Sequence, residues 1–203
     1  MANWDADSPR LRRNLINVLR DARDRAVRRD LPTVEDARRW QRDSMAGLDA
    51  PEEKYVGCFR GEAGLESTRV WIGVREGVAP ADVAAELAAF ERTLQGIVAV
   101  LDARYALGRE LDADGLAAVI DLCAWAHAEW VRIHPFANGN GRTARIWANA
   151  LLMRYGLPPA VRLRPRPDGG YGLAGVAAMD GDWRATASIF RTMLDEALTK
   201  GGP

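Results

Sequence analysis

The chain contains little lysine and has no excess of charge of either sign. Lys54 and Lys200 are its lysines, so nearly all of its 28 basic side chains are arginines, and 28 acidic residues balance them. A chain without net charge has no general attraction for nucleic acid or for an anionic membrane surface. We therefore expect neither of these partners.

Cysteine is also scarce, and long apolar runs are missing. Cys58 and Cys123 have no spacing typical of a metal site or a disulfide framework, which predicts two small buried residues in a reducing compartment. The N-terminal stretch is polar and charged rather than resembling a signal peptide, and no segment has the length of a transmembrane span. These absences together predict a cytoplasmic protein.

The main pattern in the sequence is the helical spacing of its apolar residues. With 203 residues, 48% of them apolar, the chain has the size and composition of one globular domain, or of one domain with an extension. Apolar positions at helical spacing predict a mostly α fold. The helices are expected at about residues 9–29, 34–46, 81–105, 112–132, 144–155, 171–179 and 183–198.

One segment departs from the helical spacing of apolar residues. Tyr55–Arg60 and Thr68–Val74 are rich in β-forming residues and are separated by glycines and polar residues, which predicts a β-hairpin. Two interpretations stay open for it. It is either a structural ribbon that covers an edge of the core, or an exposed strand edge that pairs with another chain.

The stretch His-Pro-Phe-Ala-Asn-Gly-Asn-Gly-Arg-Thr-Ala-Arg, residues 134–145, is typical of a loop that enters a helix. Pro135 ends the preceding helix, and Gly139 and Gly141 allow backbone conformations closed to other residues. The free N–H groups and positive dipole of the helix that follows suit an anion such as a phosphate.

Three side chains of this stretch have the chemistry for phosphate transfer. Arg142 and Arg145 are three residues apart, so they share one face of the first helical turn, and two guanidinium groups there suit a polyphosphate. His134 lies just before the loop and can accept a proton near neutral pH. The other histidine, His127, lies inside a predicted helix and is expected to be a packed core residue.

This stretch resembles the signature of the Fic (filamentation induced by cAMP) family: His-Pro-Phe, any residue, Asp or Glu, Gly-Asn-Gly-Arg, two residues, Arg. The matching positions are His134, Pro135, Phe136, Gly139, Asn140, Gly141, Arg142 and Arg145. An ordinary helix corner explains the turn, but not the histidine, Asn140 and both arginines together. The resemblance implies a Fic-type helical domain with one small β-hairpin flap, over residues 51–203, with residues 1–50 as an N-terminal helical extension.

Fic proteins mostly transfer AMP from ATP to a Ser, Thr or Tyr hydroxyl of a target protein. The resemblance therefore implies a protein adenylyltransferase, a toxin or a regulator, with ATP as donor and His134 as catalytic base. The residues implied in nucleotide binding are Asn138, Gly139, Asn140, Gly141, Arg142 and Arg145. We expect Asn140 to donate from its side-chain amide to the transferred phosphoryl group, and Phe136 to anchor the loop in the core.

Asn138 departs from the family pattern, because it stands where Fic proteins usually have a carboxylate. Mg²⁺ prefers carboxylates, and one neutral amide oxygen is a weaker ligand. Three interpretations follow: a slower Mg²⁺-dependent transferase with Asn138 as metal ligand, a variant that uses another phosphate donor, or a module that binds nucleotide without turnover. The first is favoured, since the other signature residues are present.

The resemblance also implies partners. The hairpin at residues 55–74 is expected to dock the target protein. Fic proteins are often restrained by a helix with Ser or Thr, three residues, Glu and then Gly or Asn, whose glutamate pairs with the second motif arginine. Here only Thr192 and Glu196 match loosely, so the inhibitor is expected to be absent, altered or supplied by an antitoxin-type partner. The alternating Arg162, Arg164 and Arg166 are interpreted as a solvated connector in preference to a nucleotide contact.

Overall fold

The structure is a computed structural model that describes residues 8–200. Within these residues the chain forms seven α-helices and one antiparallel β-hairpin. The helices are α1 (Pro9–Val27), α2 (Val34–Met45), α3 (Val83–Arg104), α4 (Ala113–Ile133), α5 (Asn140–Arg154), α6 (Tyr171–Met179) and α7 (Arg184–Lys200). The predicted mostly α fold with one small hairpin is confirmed.

Local signals in the sequence set the helix ends. The Ser8 hydroxyl accepts the N–H of Leu11 at 3.1 Å, and Pro9 occupies the first turn of α1. The Asp36 carboxylate accepts the N–H of Thr33 at 3.0 Å, which forms a capping box at the start of α2. Asp112 caps α4 by accepting the N–H of Gly115 at 2.7 Å.

Helix α4 lies at the centre of the fold, with α3, α5, α6 and α7 packed around it, while α1 packs against α5 and α2. Its residues Trp130 and Ile133 are fully buried, and Trp130 meets Trp147 of α5 with ring centroids 5.9 Å apart. A helix that is apolar on more than one face has to be enclosed in this way. The C-terminal end of α4 and the N-terminal end of α5 are joined by the loop of residues 134–139.

The hairpin lies further along the chain than predicted. Its strands are β1 (Trp71–Ile72) and β2 (Arg75–Glu76), joined by a two-residue turn in which Gly73 has φ = +60°. The strand predicted at Tyr55–Arg60 was wrong. That segment begins with a 3₁₀ turn at Glu53–Tyr55 and then forms loops, with Gly57 at φ = +75°.

The predicted division into residues 1–50 and 51–203 stays a prediction. Side chains of α1 and α2, among them Leu15 and Trp40, belong to the same hydrophobic core as those of α3 to α7. Residues 1–7 and 201–203, at the outer ends of the two predicted parts, lie outside the described residues. Within residues 8–200, no helix combines the length and the apolar character needed to cross a membrane.

Candidate active site

Phe136 anchors the motif loop between α4 and α5. Its ring is fully buried, and its centroid lies 4.9 Å from that of Phe59 and 6.0 Å from that of Trp130. Edge and tilted contacts of this kind hold an aromatic ring in one place. Thr143 secures the other end of the loop, because its hydroxyl accepts the indole N–H of Trp130 at 2.8 Å. The predicted anchoring role of Phe136 agrees with this packing.

Asn140 closes the same loop from within. Its side-chain Nδ2 donates to the carbonyl of Phe136 at 2.8 Å, and its Oδ1 accepts the N–H of Phe136 at 2.8 Å. The oxygen and one N–H of the amide thus bond to the loop backbone, and donation by the second N–H to a phosphoryl group stays a prediction. The backbone N–H groups of Asn140 and Gly141 are further donors at the start of α5, since no acceptor in residues 8–200 takes them.

Gly139 must be glycine for this geometry. Its φ is +91°, and a Cβ there would lie 3.3 Å from the Arg142 guanidinium and 3.4 Å from Gln41 Cγ. A left-handed residue immediately before α5 turns the chain sharply, so the first free N–H groups of the helix border the cavity rather than the core.

His134 ends α4 in a left-handed conformation, with φ = +53° and ψ = +55°. Its Nδ1 lies 3.0 Å from the carbonyl oxygen of Val131. A carbonyl only accepts, so Nδ1 carries the proton of the neutral ring and Nε2 keeps its lone pair. This is the tautomer that a general base needs, and His134 borders the cavity.

Burial is the main influence on the pKa of His134, and it lowers that pKa to about 4; the Val131 carbonyl opposes the shift and the charge of Arg60 adds to it. The pKa of His127 is lowered to about 3 by burial and by the charges of Arg145 and Arg166. Both rings are therefore neutral at pH 7, and His134 can act as a base without first losing a proton.

An NMR titration of the two imidazole rings tests this assignment. We expect His134 to stay neutral, with the proton on Nδ1, from pH 7 down to pH 5 and to titrate near its pKa of about 4. The unfolded ring, with its ordinary pKa of 6.5, takes up its proton first. The free energy of unfolding should therefore fall as the pH drops from about 6.5 towards 4. A midpoint near 6.5 in the folded protein would contradict the assignment.

A cavity of about 490 Å³ opens in front of His134. Three parts of the chain border it: residues 69–72 at β1, the motif loop with the start of α5, and residues 164–175 around the start of α6. All of the predicted site residues are brought together here, namely His134, Asn138, Gly139, Asn140, Gly141, Arg142 and Arg145. Arg164, which is half-buried, and Arg166, which is exposed, also border the cavity, so part of the predicted connector lies beside the site.

Arg145 is almost fully buried on one wall of this cavity. Its guanidinium donates to the Tyr171 hydroxyl and to the Leu163 carbonyl, each at 3.2 Å. Its Nε is buried and has no hydrogen-bond partner within the described residues. The Tyr171 hydroxyl also lies 2.6 Å from Nε2 of His127. His127 is thus the buried core residue predicted, and it positions Arg145 through Tyr171.

The predicted Mg²⁺ ligand, Asn138, does not fit a magnesium site. Its Oδ1 accepts the N–H of Gly139 at 2.6 Å. The described lining of the cavity contains no aspartate or glutamate, and residues 8–200 contain no group of three or more His, Cys, Asp or Glu residues that could hold a metal ion. Because Mg²⁺ prefers carboxylate oxygens, an amide oxygen already bonded to backbone among arginines is a poor donor set.

Two residues outside the motif hold it in place, and neither was predicted. Gln41 of α2 is fully buried, donates to the carbonyls of Tyr55 and Asn138, and accepts the N–H of Gly57 at 2.6 Å. Arg60 is also buried and donates to the His134 carbonyl at 2.7 Å. Both contacts join residues more than seventy positions apart, which local patterns do not reveal.

Arg60 holds the flap to the end of α4. Its guanidinium donates to the carbonyls of Thr68 and Val78, one on each side of the hairpin, and to that of Ile133. Gly77, between them, comes so close to His134 that a Cβ there would lie 2.7 Å from the histidine Cβ. The flap base and the backbone of His134 are therefore one hydrogen-bonded unit.

The loose match to an inhibitory helix lies elsewhere. Thr192 and Glu196 border a separate surface cavity together with Arg162 and Asp168. Within residues 8–200, the hydrogen bonds of Arg145 are to Tyr171 and Leu163, not to a glutamate. Helix α7 thus does not supply a glutamate to the active cavity.

The helical fold, the flap and the motif loop define a Fic-type domain. The sequence matches the Fic/DOC family over residues 33–152, and the chain belongs to this family. The match begins before the domain boundary predicted at residue 51, so it includes α2 and its buried Gln41.

Relatives and solved structures agree with this membership. Over 50 residues the chain is 52% identical to a protein adenylyltransferase Fic of Nematostella vectensis, which is 24% of this chain and 12% of that protein. It is also 52% identical to the protein adenylyltransferase Fic of Drosophila melanogaster over 42 residues. This match covers 21% of this chain and 8% of that protein. The chain thus matches only a small part of these relatives.

The similarity of the fold extends over almost the whole chain. A structure of Fic-1 (residues 134–508) from C. elegans aligns with a TM-score of 0.62 and 24% identity, covering 96% of this chain and 52% of that one. A Fic domain-containing signalling protein from Bacteroides thetaiotaomicron aligns with a TM-score of 0.59 and 19% identity, covering 95% and 70%. At these identities the likeness concerns the fold.

Proposed function

We propose that this chain transfers AMP from ATP to a hydroxyl group of a target protein. The observation that carries the proposal is the neutral His134, with a bare Nε2, at the edge of a cavity that also holds two motif arginines and a helix N-terminus. Relatives that share the motif region are named protein adenylyltransferase Fic, which supports the same activity.

The reaction follows from these groups. The oxygen of a Ser, Thr or Tyr hydroxyl attacks the α-phosphorus of ATP, and its proton passes to Nε2 of His134. The bond from the α-phosphorus to the bridging oxygen breaks, and pyrophosphate leaves with the electron pair. The N–H groups of Asn140 and Gly141 stabilise the charge on the α-phosphate, and Arg142 and Arg145 bind the outer phosphates.

Incubation with ATP labelled in the adenine ring, together with cell lysate, tests the proposal. An adenylyltransferase leaves label on protein that survives denaturation. A module that only binds nucleotide would show ATP binding but no covalent label. A Fic variant with a different phosphate donor would leave the adenine label in solution, so either result would overturn the proposal.

We further propose that the target protein docks on the flap. Trp71 and Val74 are exposed there, at 57% and 87%, and offer apolar surface to a target. The N–H of Gly77 donates to the carbonyl of Val70 at 3.0 Å, so residues 70 and 77 form a hydrogen-bonded pair. In an antiparallel pair the next residue, Trp71, directs its N–H and C=O away from β2, where an extended target segment could pair.

Replacing Trp71 with proline tests the flap. Proline removes the outward N–H without removing a bond between β1 and β2. We expect target labelling to fall by about threefold to tenfold, as for loss of one hydrogen bond of ~1 kcal/mol, with ATP affinity unchanged. Trp71→Ala is the matched control, because it loses the ring but keeps the N–H. Equal labelling by the proline and alanine variants would argue against strand pairing.

The cytoplasm is the proposed location, and a separate antitoxin-type inhibitor remains the proposed form of restraint. The second proposal is supported by the position of α7, whose Glu196 faces a different cavity from that of Arg145.

A further inference from the structure

The guanidinium group of Arg145 is held by two parts of the chain that follow the motif in sequence. One terminal nitrogen, Nη1, donates to the Tyr171 hydroxyl, and the other, Nη2, donates to the Leu163 carbonyl, each at 3.2 Å. Arg145 is 5% exposed, so both bonds are made away from bulk water, where they are stronger. Because they involve different nitrogens of one planar group, they fix its orientation as well as its position.

Nη1, the nitrogen that Tyr171 holds, lies beside the first turn of α5. A Cβ at Gly141 would be only 3.4 Å from this nitrogen. Gly141 borders the active cavity, and its backbone N–H has no acceptor in the part of the chain that the structure describes. An anion bound at this helix N-terminus would therefore have Nη1 of Arg145 as a neighbour.

The Tyr171 hydroxyl is itself fixed by His127 of α4. Its oxygen lies 2.6 Å from Nε2 of His127, and the two rings meet edge to face with centroids 5.5 Å apart. His127 is 2% exposed, and the ring of Phe190 in α7 also packs against it, with centroids 5.2 Å apart. An imidazole enclosed in this way has little freedom to move. The hydroxyl is thus held at one point between α4 and α5.

The second contact of Arg145 has its own support. Val161 exchanges two hydrogen bonds with the buried Asn149 of α5, at 2.7 and 2.9 Å. These bonds hold the loop before α6 against α5, and Leu163, two residues further on, is buried there. Each group that accepts a hydrogen bond from Arg145 is therefore fixed by a separate contact to the core.

We propose that Tyr171 is a positioning residue for ATP: its hydroxyl, held by His127, orients Arg145 towards the outer phosphates. The inference rests on the proposed function and adds to it two residues outside the motif. The physical reason is preorganisation. A free arginine side chain loses much rotamer freedom when a ligand orders it, which weakens binding. Because Tyr171 and Leu163 order Arg145 when the chain folds, ATP binding does not bear that cost.

Replacement of Tyr171 with phenylalanine tests the proposal, because it removes the hydroxyl and keeps the ring. In calorimetric titrations of the full chain, we expect binding of ATP and of pyrophosphate to weaken by about threefold to tenfold. AMP has no outer phosphates, so its affinity should stay within about twofold of the wild-type value. Equal losses for ATP and AMP would indicate a general structural effect and would overturn the proposal.

Tyr105→Phe is the matched control. The Tyr105 side chain is also buried, and its hydroxyl also makes a hydrogen bond, to the Asp112 carboxylate at 3.0 Å. Tyr105 borders a different cavity from that of Arg145. This variant should lose some stability in thermal unfolding and should bind ATP, pyrophosphate and AMP like the wild type. A loss of ATP affinity equal to that of Tyr171→Phe would contradict the positioning role.

Substitutions of His127 test the same contact from its other end. Glutamine can still form a hydrogen bond with the Tyr171 hydroxyl, whereas leucine cannot. We expect His127→Gln to retain most of the ATP affinity and His127→Leu to lose as much of it as Tyr171→Phe does. The variants are compared at a temperature where thermal unfolding shows them to be folded. Equal ATP affinities of the two would overturn the proposal, because a role in packing alone does not depend on that bond.

The double variant Tyr171→Phe/His127→Leu shows whether the two residues act in series. Since His127 acts through the Tyr171 hydroxyl, the double variant should bind ATP like Tyr171→Phe alone, and additive losses would contradict the proposal. Equal ATP binding by the wild type and Tyr171→Phe would refute the positioning role. Absence of ATP binding by the wild type would instead refute the proposed function itself, so the two failures are distinguishable.

Discussion

Replacement of His134 with asparagine should lower the rate of AMP transfer by ~100-fold or more, the usual contribution of a general base, while ATP affinity stays near that of the wild type. The base acts on the acceptor hydroxyl and not on the donor, so binding and transfer should separate. Asparagine is preferred because it tolerates the left-handed backbone of His134 at φ = +53° and has no basic nitrogen.

His134→Ala should be equally inactive but less stable, since alanine at a positive φ costs about 1–2 kcal/mol. Comparison of the two variants therefore separates loss of the base from backbone strain. Thermal unfolding and ATP titration of both proteins provide the controls. Retention of wild-type transfer by either variant would eliminate His134 as the base.

Replacement of Arg60 with methionine should have the largest effect on stability. Arg60 is 1% exposed, and its guanidinium donates to the carbonyls of Thr68, Val78, Ile133 and His134. Methionine fills a similar volume but donates nothing, so buried carbonyls are left without partners. At 1–3 kcal/mol for each such group, and with partial relaxation, we expect a loss of at least ~3 kcal/mol in the free energy of unfolding.

The same residue should have a second, separable effect on catalysis. Arg60→Lys keeps the charge but not the planar fork, so it reaches fewer carbonyls and should be only partly destabilised. If Arg60 positions His134, this variant should lose transfer rate with little change in ATP affinity at a temperature where it is fully folded. Urea unfolding and steady-state kinetics measure the two effects. Wild-type values for Arg60→Lys in both assays would refute the positioning role.

The helices were predictable because their signals are local. Apolar spacing set α1 and α4, and the capping residues Thr33 and Asp36 set the start of α2 within one residue. The first predicted strand was wrong for a physical reason. Its β-forming residues serve separate loop contacts, such as Phe59 on Phe136, and Gly57 at φ = +75° breaks the extended backbone.

The candidate site was predictable only where the sequence itself brings residues together. His134 and Arg145 are adjacent through one loop and one helical turn, so the motif placed both in one cavity. Arg60 and Tyr171 join the site through long-range packing, which periodicity cannot reveal. The bonds from the Asn140 side chain to the backbone of its own loop were likewise not predicted.

Arg164 and Arg166 show the same limit. Arg162, Arg164 and Arg166 alternate in the sequence and cannot be distinguished there. In the structure, Leu163 is bonded to Arg145 and Arg162 is paired with Asp168, so the arginines border different cavities. Only the folded structure shows that Arg164 and Arg166 border the active cavity and that Arg162 borders the other one.

The position of the transferred phosphorus tests the central claim most directly. Two parallel reactions, one with radioactive phosphorus at the α position of ATP and one with it at the γ position, are run with the same acceptor lysate. Adenylyl transfer predicts that the α-label becomes covalently bound to protein and the γ-label leaves as pyrophosphate, and that both signals vanish with His134→Asn. Label on protein from the γ position, or none from the α position, would contradict the account.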